Sequence, residues 1–144
     1  MAISEFTGIL REKEYISEDV MILSFMVSDN FTFQAGQYIM IKVARGDEFR
    51  WKPYSILNSP AEKGKINLCA TIIPGGFASE AFKSMNVSEK VTFRGPLGHF
   101  FFSVDADDNW FISVGTGIVP FHSILLDNLE KFPAKRFTVL FGER

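Results

Sequence analysis

Lys52, Tyr54 and Ser55 place a cation, an aromatic ring and a hydroxyl close together, and Pro53 fixes one backbone angle among them. Tyrosine offers a flat apolar face with a polar tip. A serine hydroxyl both donates and accepts. Side chains alternate along an extended segment, so Lys52 and Tyr54 share a face while Ser55 points the other way, acting through its backbone or from a bend. These types suit the holding of a planar, phosphorylated ligand, with the ring against the flat part and the cation against the phosphate. Taken alone, such a stretch is more often an edge strand that lends a tyrosine to the core.

Two glycine-rich turns are candidates for the rest of the grip. Pro74-Gly75-Gly76 leads into Phe77–Met85, where Phe77, Ala78, Ala81, Phe82 and Met85 recur at helical spacing. The first N–H groups of a helix have no intrahelical acceptor and lie at the positive end of its dipole, which suits an anion. A plain turn before a short amphipathic helix fits the same residues. Gly115-Thr116-Gly117 follows the apolar run Trp110–Val114 and opens a second helical pattern over 118–130, with Pro120 in its first turn. Ile118, Phe121, Leu125 and Leu129 are expected to line its buried face. Phe137–Phe141 then reads as a strand. A strand–helix–strand unit with a glycine-rich first turn can seat a dinucleotide pyrophosphate. The match is partial, because a third glycine and an acidic ribose-binding residue are missing.

Six shorter strands precede this unit, within 3–13, 20–27, 39–43, 51–60, 66–72 and 90–94. Turn signals separate them, as at Asp29-Asn30 and Glu62-Lys63-Gly64-Lys65. The fold class expected is β-rich: a six-stranded antiparallel Greek-key barrel with one short helix, then the first strand–helix–strand unit of an α/β domain. The boundary falls near residue 105, giving a barrel over 1–104 and an incomplete α/β part over 105–144. Such a lone unit leaves apolar strand surface uncovered, so self-association or pairing with a second subunit is the competing, non-enzymatic reading.

The chain has 144 residues, 47% hydrophobic, with 16 Phe and a net charge of −2. That balance, with no basic run, speaks against nucleic acid as a partner. No apolar run is long enough to span a bilayer, and no signal pattern opens the chain, so a cytoplasmic protein is expected. The single cysteine, Cys69, excludes an internal disulfide. Cys69, His99 and His122 are too scattered to form a metal-ligand motif.

The order of these pieces resembles the ferredoxin–NADP reductase type of flavin-dependent NAD(P)H oxidoreductase. The likeness runs from Phe33-Gln34-Ala35-Gly36-Gln37-Tyr38 through Lys52-Pro53-Tyr54-Ser55, Gly75-Gly76-Phe77-Ala78-Ser79 and Gly95-Pro96-Leu97-Gly98-His99-Phe100. It continues to Gly115-Thr116-Gly117-Ile118-Val119-Pro120 and Phe141-Gly142-Glu143-Arg144. The resemblance implies FAD as cofactor, with FMN as the alternative, and NAD or NADP as hydride donor. It implies that Tyr54 stacks on the flavin and Ser55 sits beside the atom that receives hydride, these two being the catalytic candidates. Lys52 stands where the family has an arginine that meets the phosphates, and Arg50 would compensate if a bend turned it inward. Cys69, Ala70 and Thr71 would border the flavin through their backbone. Gly75, Gly76, Phe77, Ala78 and Ser79 would hold its pyrophosphate. Gly115, Thr116, Gly117, Ile118, Val119 and Pro120 would carry that of NAD(P)H. The implied partner is an electron acceptor such as a ferredoxin, another iron–sulfur protein or a haem protein.

Overall fold

The computed structural model describes residues 3–143. Six strands form one antiparallel sheet: β1 (Glu5–Tyr15), β2 (Val20–Met26), β3 (Tyr38–Arg45), β4 (Glu48–Ser55), β5 (Lys65–Thr71) and β6 (Lys90–Leu97), in the order β4-β3-β6-β1-β2-β5. Strict alternation drives the curl. Met21, Leu23 and Phe25 of β2, Ile39, Ile41 and Val43 of β3, and Ile66, Leu68 and Ala70 of β5 all point into one core. Each large side chain buried there contributes about 1.5–3 kcal/mol of transfer free energy. Phe25 meets Phe93 edge to face at 5.1 Å in the middle.

The two ends of the sheet, β4 and β5, meet at a single bridge between Ile56 and Leu68, beside a bond from Leu57 N–H to the Asn67 carbonyl at 2.9 Å. Beyond it no ladder joins them among the described residues. The barrel is therefore open along a seam. Helix α1 (Phe77–Ser84) packs on β3 and drives Ala81 and the fully buried Phe82 into the core. The Lys13 ammonium donates to the carbonyls of Phe82 (3.1 Å) and Lys83 (2.6 Å), satisfying acceptors that the end of a helix leaves free.

After the barrel come β7 (Asp108–Val114), a 3-10 turn over Gly115–Ile118, α2 (Val119–Asn128) and β8 (Arg136–Gly142). β7 and β8 are parallel, in the register Asp108↔Arg136 to Val114↔Gly142. Both the barrel and the strand–helix–strand unit stand as the sequence indicates. The second helix meets the expectation only in part: Phe121 and Leu125 pack on a core shared with Phe111 and Ile124, but they are not its most buried positions. Its buried residues are Val119, Ser123, Ile124 and Asn128, whereas Leu129 is 49% exposed. The reason is polar: α2 packs on main-chain carbonyls of the barrel as well as on the sheet, and an apolar periodicity cannot register a buried hydroxyl. On β7, Phe111 is buried and the opposite face carries Trp110, Ile112 and Val114 at 58%, 68% and 73% exposure.

Loop 34–37 ties the two parts together. Ala35 leaves the barrel to join a second core with Phe111 and Ile124, flanked by Phe102, Phe121 and Phe137. Gly36 adopts φ +100°, and a Cβ there would overlap the carbonyl oxygen of Phe100. Gly46 also has positive φ, but a Cβ there meets nothing. Gly36→Ala is therefore expected to cost about 3 kcal/mol, combining backbone strain with overpacking. Gly46→Ala is expected to cost about 1 kcal/mol from strain alone. Chemical denaturation of the two variants checks the difference; equal losses would show that the close approach to Phe100 is not a constraint.

Candidate functional site

The register of the β3–β4 hairpin decides where the candidate side chains go. Ile39 lies opposite Tyr54, Ile41 opposite Lys52 and Val43 opposite Arg50. Cross-strand partners share a face, so Arg50, Lys52 and Tyr54 form a stripe on the inward side of the sheet, at the open seam. Pro53 is tolerated because β4 is an edge strand, where a missing N–H breaks no outer ladder. Ser55 ends the strand on the opposite face, across from Tyr38, and its hydroxyl makes no hydrogen bond among the described residues.

Helix α1 lies across this stripe. The Phe82 ring meets Tyr54 edge to face at 5.4 Å, and the Arg50 guanidinium lies over the Phe77 ring at 4.3 Å. The helix thus starts at the level of Arg50 and reaches toward Tyr54. Gly76 donates its N–H to the Ile73 carbonyl at 2.9 Å. The N–H groups of Phe77, Ala78 and Ser79 have no acceptor among the described residues. Gly75 adopts φ +74° with open space where a Cβ would stand, and Gly76 is crowded by the Ile73 carbonyl. Ser79 has a free N–H among the described residues, but its hydroxyl is engaged within the loop. Its side chain is buried, and its oxygen accepts the Ile73 N–H at 2.8 Å, which fixes the loop. Arg45, which the sequence did not single out, donates to the Gly75 carbonyl at 3.4 Å. Three open N–H groups with Arg45, Arg50 and Lys52 alongside fit a diphosphate.

The strand across the seam completes the wall. Continuing the antiparallel register from Ile56↔Leu68 sets Ser55 level with Cys69 and Tyr54 level with Ala70. β5 is an edge here, so main-chain groups over Cys69–Thr71 face the opening. Burial pushes the Cys69 thiol up from its ordinary pKa, which keeps it protonated and a poor nucleophile. Burial also pushes the Tyr54 phenol up. The Glu80 carboxylate is held below the usual range, first by its hydrogen bond to Lys83, then by the Lys83 charge and the Gly75 N–H. It steadies the glycine loop from outside.

The turn over Gly115–Ile118 packs against both β7 and β5, so the second candidate site adjoins the first. Gly115 has φ +53° with open space around it. Thr116, Gly117 and Ile118 continue the 3-10 turn, and Val119 and Pro120 open α2. Two buried side-chain oxygens lack partners among the described residues, Asn67 Oδ1 on β5 and Ser113 Oγ on β7. Both sit on elements that touch this turn. A groove lined by Asp107, Asp108, Ala134, Lys135 and Arg136 lies at the other, amino end of the parallel pair. Ligands of such sheets bind at the carboxyl end. No cluster of His, Cys, Asp or Glu suited to a metal is present among the described residues, and no helix there is long and apolar enough to cross a membrane.

An open-seamed barrel with an anion-ready helix across it, joined to a strand–helix–strand turn, has the fold of ferredoxin–NADP reductase-type flavoproteins. The chain belongs to the oxidoreductase FAD-binding domain family, whose model matches residues 7–102. It is similar to the reductase component DmpP of phenol 2-monooxygenase from Pseudomonas sp. strain CF600, at 28% identity over 144 residues, covering 99% of this chain and 40% of that protein. It is also similar to a ferredoxin–NADP reductase of Sorangium cellulosum, at 30% identity over 135 residues, covering 90% of this chain and 54% of that protein. Among solved structures, the Amycolatopsis cytochrome P450 reductase GcoB aligns with a TM-score of 0.87 and 26% identity over 99% of this chain and 44% of that one. The chain thus spans between two-fifths and about half of the length of these relatives.

The chain has three tyrosines, so phenol ionisation can be followed directly. One phase, abolished by Tyr54→Phe, is expected above the ordinary value of about 10. A raised folded-state pKa makes the stability contribution complete below the ordinary value and lost as pH rises through the raised one. Ultraviolet titration of wild type and variant checks this; three tyrosines titrating together would contradict the burial of Tyr54.

Proposed function

We propose that this chain is the flavin-holding part of an NAD(P)H-dependent oxidoreductase, with residues 1–104 as the FAD domain and 105–144 as the first part of the nucleotide domain. The observation that carries this reading is the inward stripe Arg50–Lys52–Tyr54 facing the open N–H groups of α1, in a chain of the FAD-binding oxidoreductase family. FAD in the seam supplies an acceptor for a hydride and a store that releases its electrons one or two at a time. The protein's own residues bind and orient. Tyr54 offers its ring to the flat heterocycle, and Ser55, which ends the strand, offers its main chain at the edge. The main chain of Cys69, Ala70 and Thr71 borders the opposite side. Arg50, Lys52 and Arg45 neutralise the phosphates, with the N–H groups of Phe77, Ala78 and Ser79 pointing at them and Gly75 and Gly76 allowing the approach.

A diphosphate uses the full stripe, whereas a monophosphate would leave the Arg45 and Arg50 end unfilled. That favours FAD over FMN. The turn from Gly115 to Pro120 receives the pyrophosphate of NADH or NADPH, and the seam lets the nicotinamide approach beside Ser55. Electrons then leave to an iron–sulfur protein, a haem protein or a small acceptor. Reductases of phenol 2-monooxygenase and cytochrome P450 among the relatives support that class of partner.

Reconstituted with FAD and desalted, the protein is expected to keep its visible flavin absorbance; a folded sample that binds neither FAD nor FMN at micromolar concentration refutes the reading. Arg50→Ala and Lys52→Ala are each expected to weaken FAD about ten-fold or more, since a charge-assisted hydrogen bond contributes about 1.5–3 kcal/mol. Riboflavin, which has no phosphate, should be little affected. Equal losses for FAD and riboflavin would remove both cations from the phosphate site.

One observation favours a second reading. The bare face of β7 suits packing by another chain, as an assembly module would need. Size-exclusion across a range of concentrations separates the two. A flavin-free obligate oligomer supports assembly, and a flavin-loaded monomer counts against it.

A further inference from the structure

Two consecutive side chains of α2 hold two consecutive carbonyls of the barrel. Ser123 Oγ donates to the Asn58 carbonyl at 2.7 Å, and His122 Nδ1 lies 2.8 Å from the Leu57 carbonyl, which selects the tautomer that donates there. Ser123 is fully buried and Asn58 is 2% exposed. Asn58 is braced on its other side: its Oδ1 accepts the Asn67 N–H at 2.8 Å, and its Nδ2 donates to the Lys65 carbonyl at 3.0 Å. The Ile56 N–H donates to the Gln37 carbonyl at 3.1 Å, which brings in loop 34–37. These bonds gather at the closed end of the seam. Asn58 lies three residues beyond Ser55, and Ser123 lies five beyond Ile118. Beside the direct packing of the turn on β5, the path along the chain from Tyr54–Ser55 to the helix that carries the turn crosses this joint.

We infer that Ser123, with His122, is a positioning residue that sets the spacing between the Gly115–Ile118 turn and the Tyr54–Ser55 wall, and so the approach of the nicotinamide to the flavin. This rests on the function proposed above. In the step concerned, a C–H bond of the dihydronicotinamide breaks, and its hydrogen and electron pair pass to the flavin. Such a transfer is steeply sensitive to placement, and a misplacement of about 1 Å can cost about a hundred-fold in rate. Ser123 touches neither reactant. Its hydroxyl anchors the helix whose first residues carry the turn. Deleting it leaves the buried Asn58 carbonyl without its partner and lets α2 slide on the barrel.

The test uses flavin-loaded protein under anaerobic conditions. Ser123→Ala is expected to slow bleaching of the flavin by saturating NADH or NADPH about ten-fold. The long-wavelength absorbance of stacked nicotinamide and flavin should fall with it. FAD affinity should stay within about two-fold, as should the thermal shift that nucleotide gives flavin-free protein, because the two ligands' own contacts are intact. Ser123→Thr, which keeps the hydroxyl, restores the rate. His122→Ala, an exposed change that leaves the buried hydroxyl in place, slows the step in the same direction but less. Wild-type bleaching rates in both alanine variants overturn the inference, and so does a loss of rate that merely tracks loss of FAD. A wild type that keeps FAD but is bleached by neither nucleotide also overturns it, while leaving flavin binding intact. A wild type that cannot keep FAD removes the proposed function itself, and the inference with it.

Discussion

Among the described residues the bridge between Ile56 and Leu68 closes the barrel at a single point, and the rest of the molecule is arranged around that fact. Full pairing of β4 with β5 would have satisfied every main-chain group and left no room for a ligand. Pairing at one end leaves an opening floored by apolar core. Exposing that core would forfeit about 25 cal/mol per Å². Helix α1 covers it by burying Phe82, and its free N–H end is carried to the rim as a consequence. The covering of the core and the free N–H groups at the rim thus arise from a single placement.

The departure at position 52 reads differently once the helix is in place. A lysine is a point charge without the planar fork of arginine. Here the helix starts beside Arg50, whose guanidinium is already oriented by the Phe77 ring and by Glu48 at 2.7 Å. That ion pair is half exposed, so it contributes little to stability and is readily exchanged for a stronger anion. Arg50 stands two residues from Lys52 on the same face, as strand periodicity requires, so a planar donor is present on that side.

Much of this was legible in the sequence because the deciding signals were local. Alternation in Ile66–Ile72 and the turn at Gly75-Gly76 depend on neighbouring residues, and strand and helix formed where they pointed. The face of α2 was legible only in part, at Phe121 and Leu125. Ser123 and Asn128 are polar and buried, while Leu126 and Leu129 are apolar and about half exposed, so a reading weighted by hydrophobicity misses the first two and buries Leu129 wrongly. Arg45 escaped notice because its partner, the Gly75 carbonyl, is thirty residues away and is brought close only by the packing of α1 on β3. Asn58 lies just outside a strand, and its side chain reads as an ordinary loop amide. Its importance comes from two main-chain groups of β5 and the Ser123 hydroxyl, which converge on it in space.

The uncovered side of β7 bears on how far these conclusions reach. Alternation places Trp110, Ile112 and Val114 on one face, and Phe111 and Ser113 on the other. Helix α2, the joint at Asn58 and the buried Ser113 hydroxyl all belong to the Phe111 side. Whatever packs on the bare side therefore does so across the thickness of the sheet from the joint. It adds stability by removing large apolar side chains from water, in a parallel arrangement that is ordinarily covered on both faces. The contacts that join the turn-bearing helix to the barrel are made by groups already within the chain, from Gly36 against Phe100 to Ser123 on Asn58. Geometry at the seam and burial of the outer face are thus separable properties.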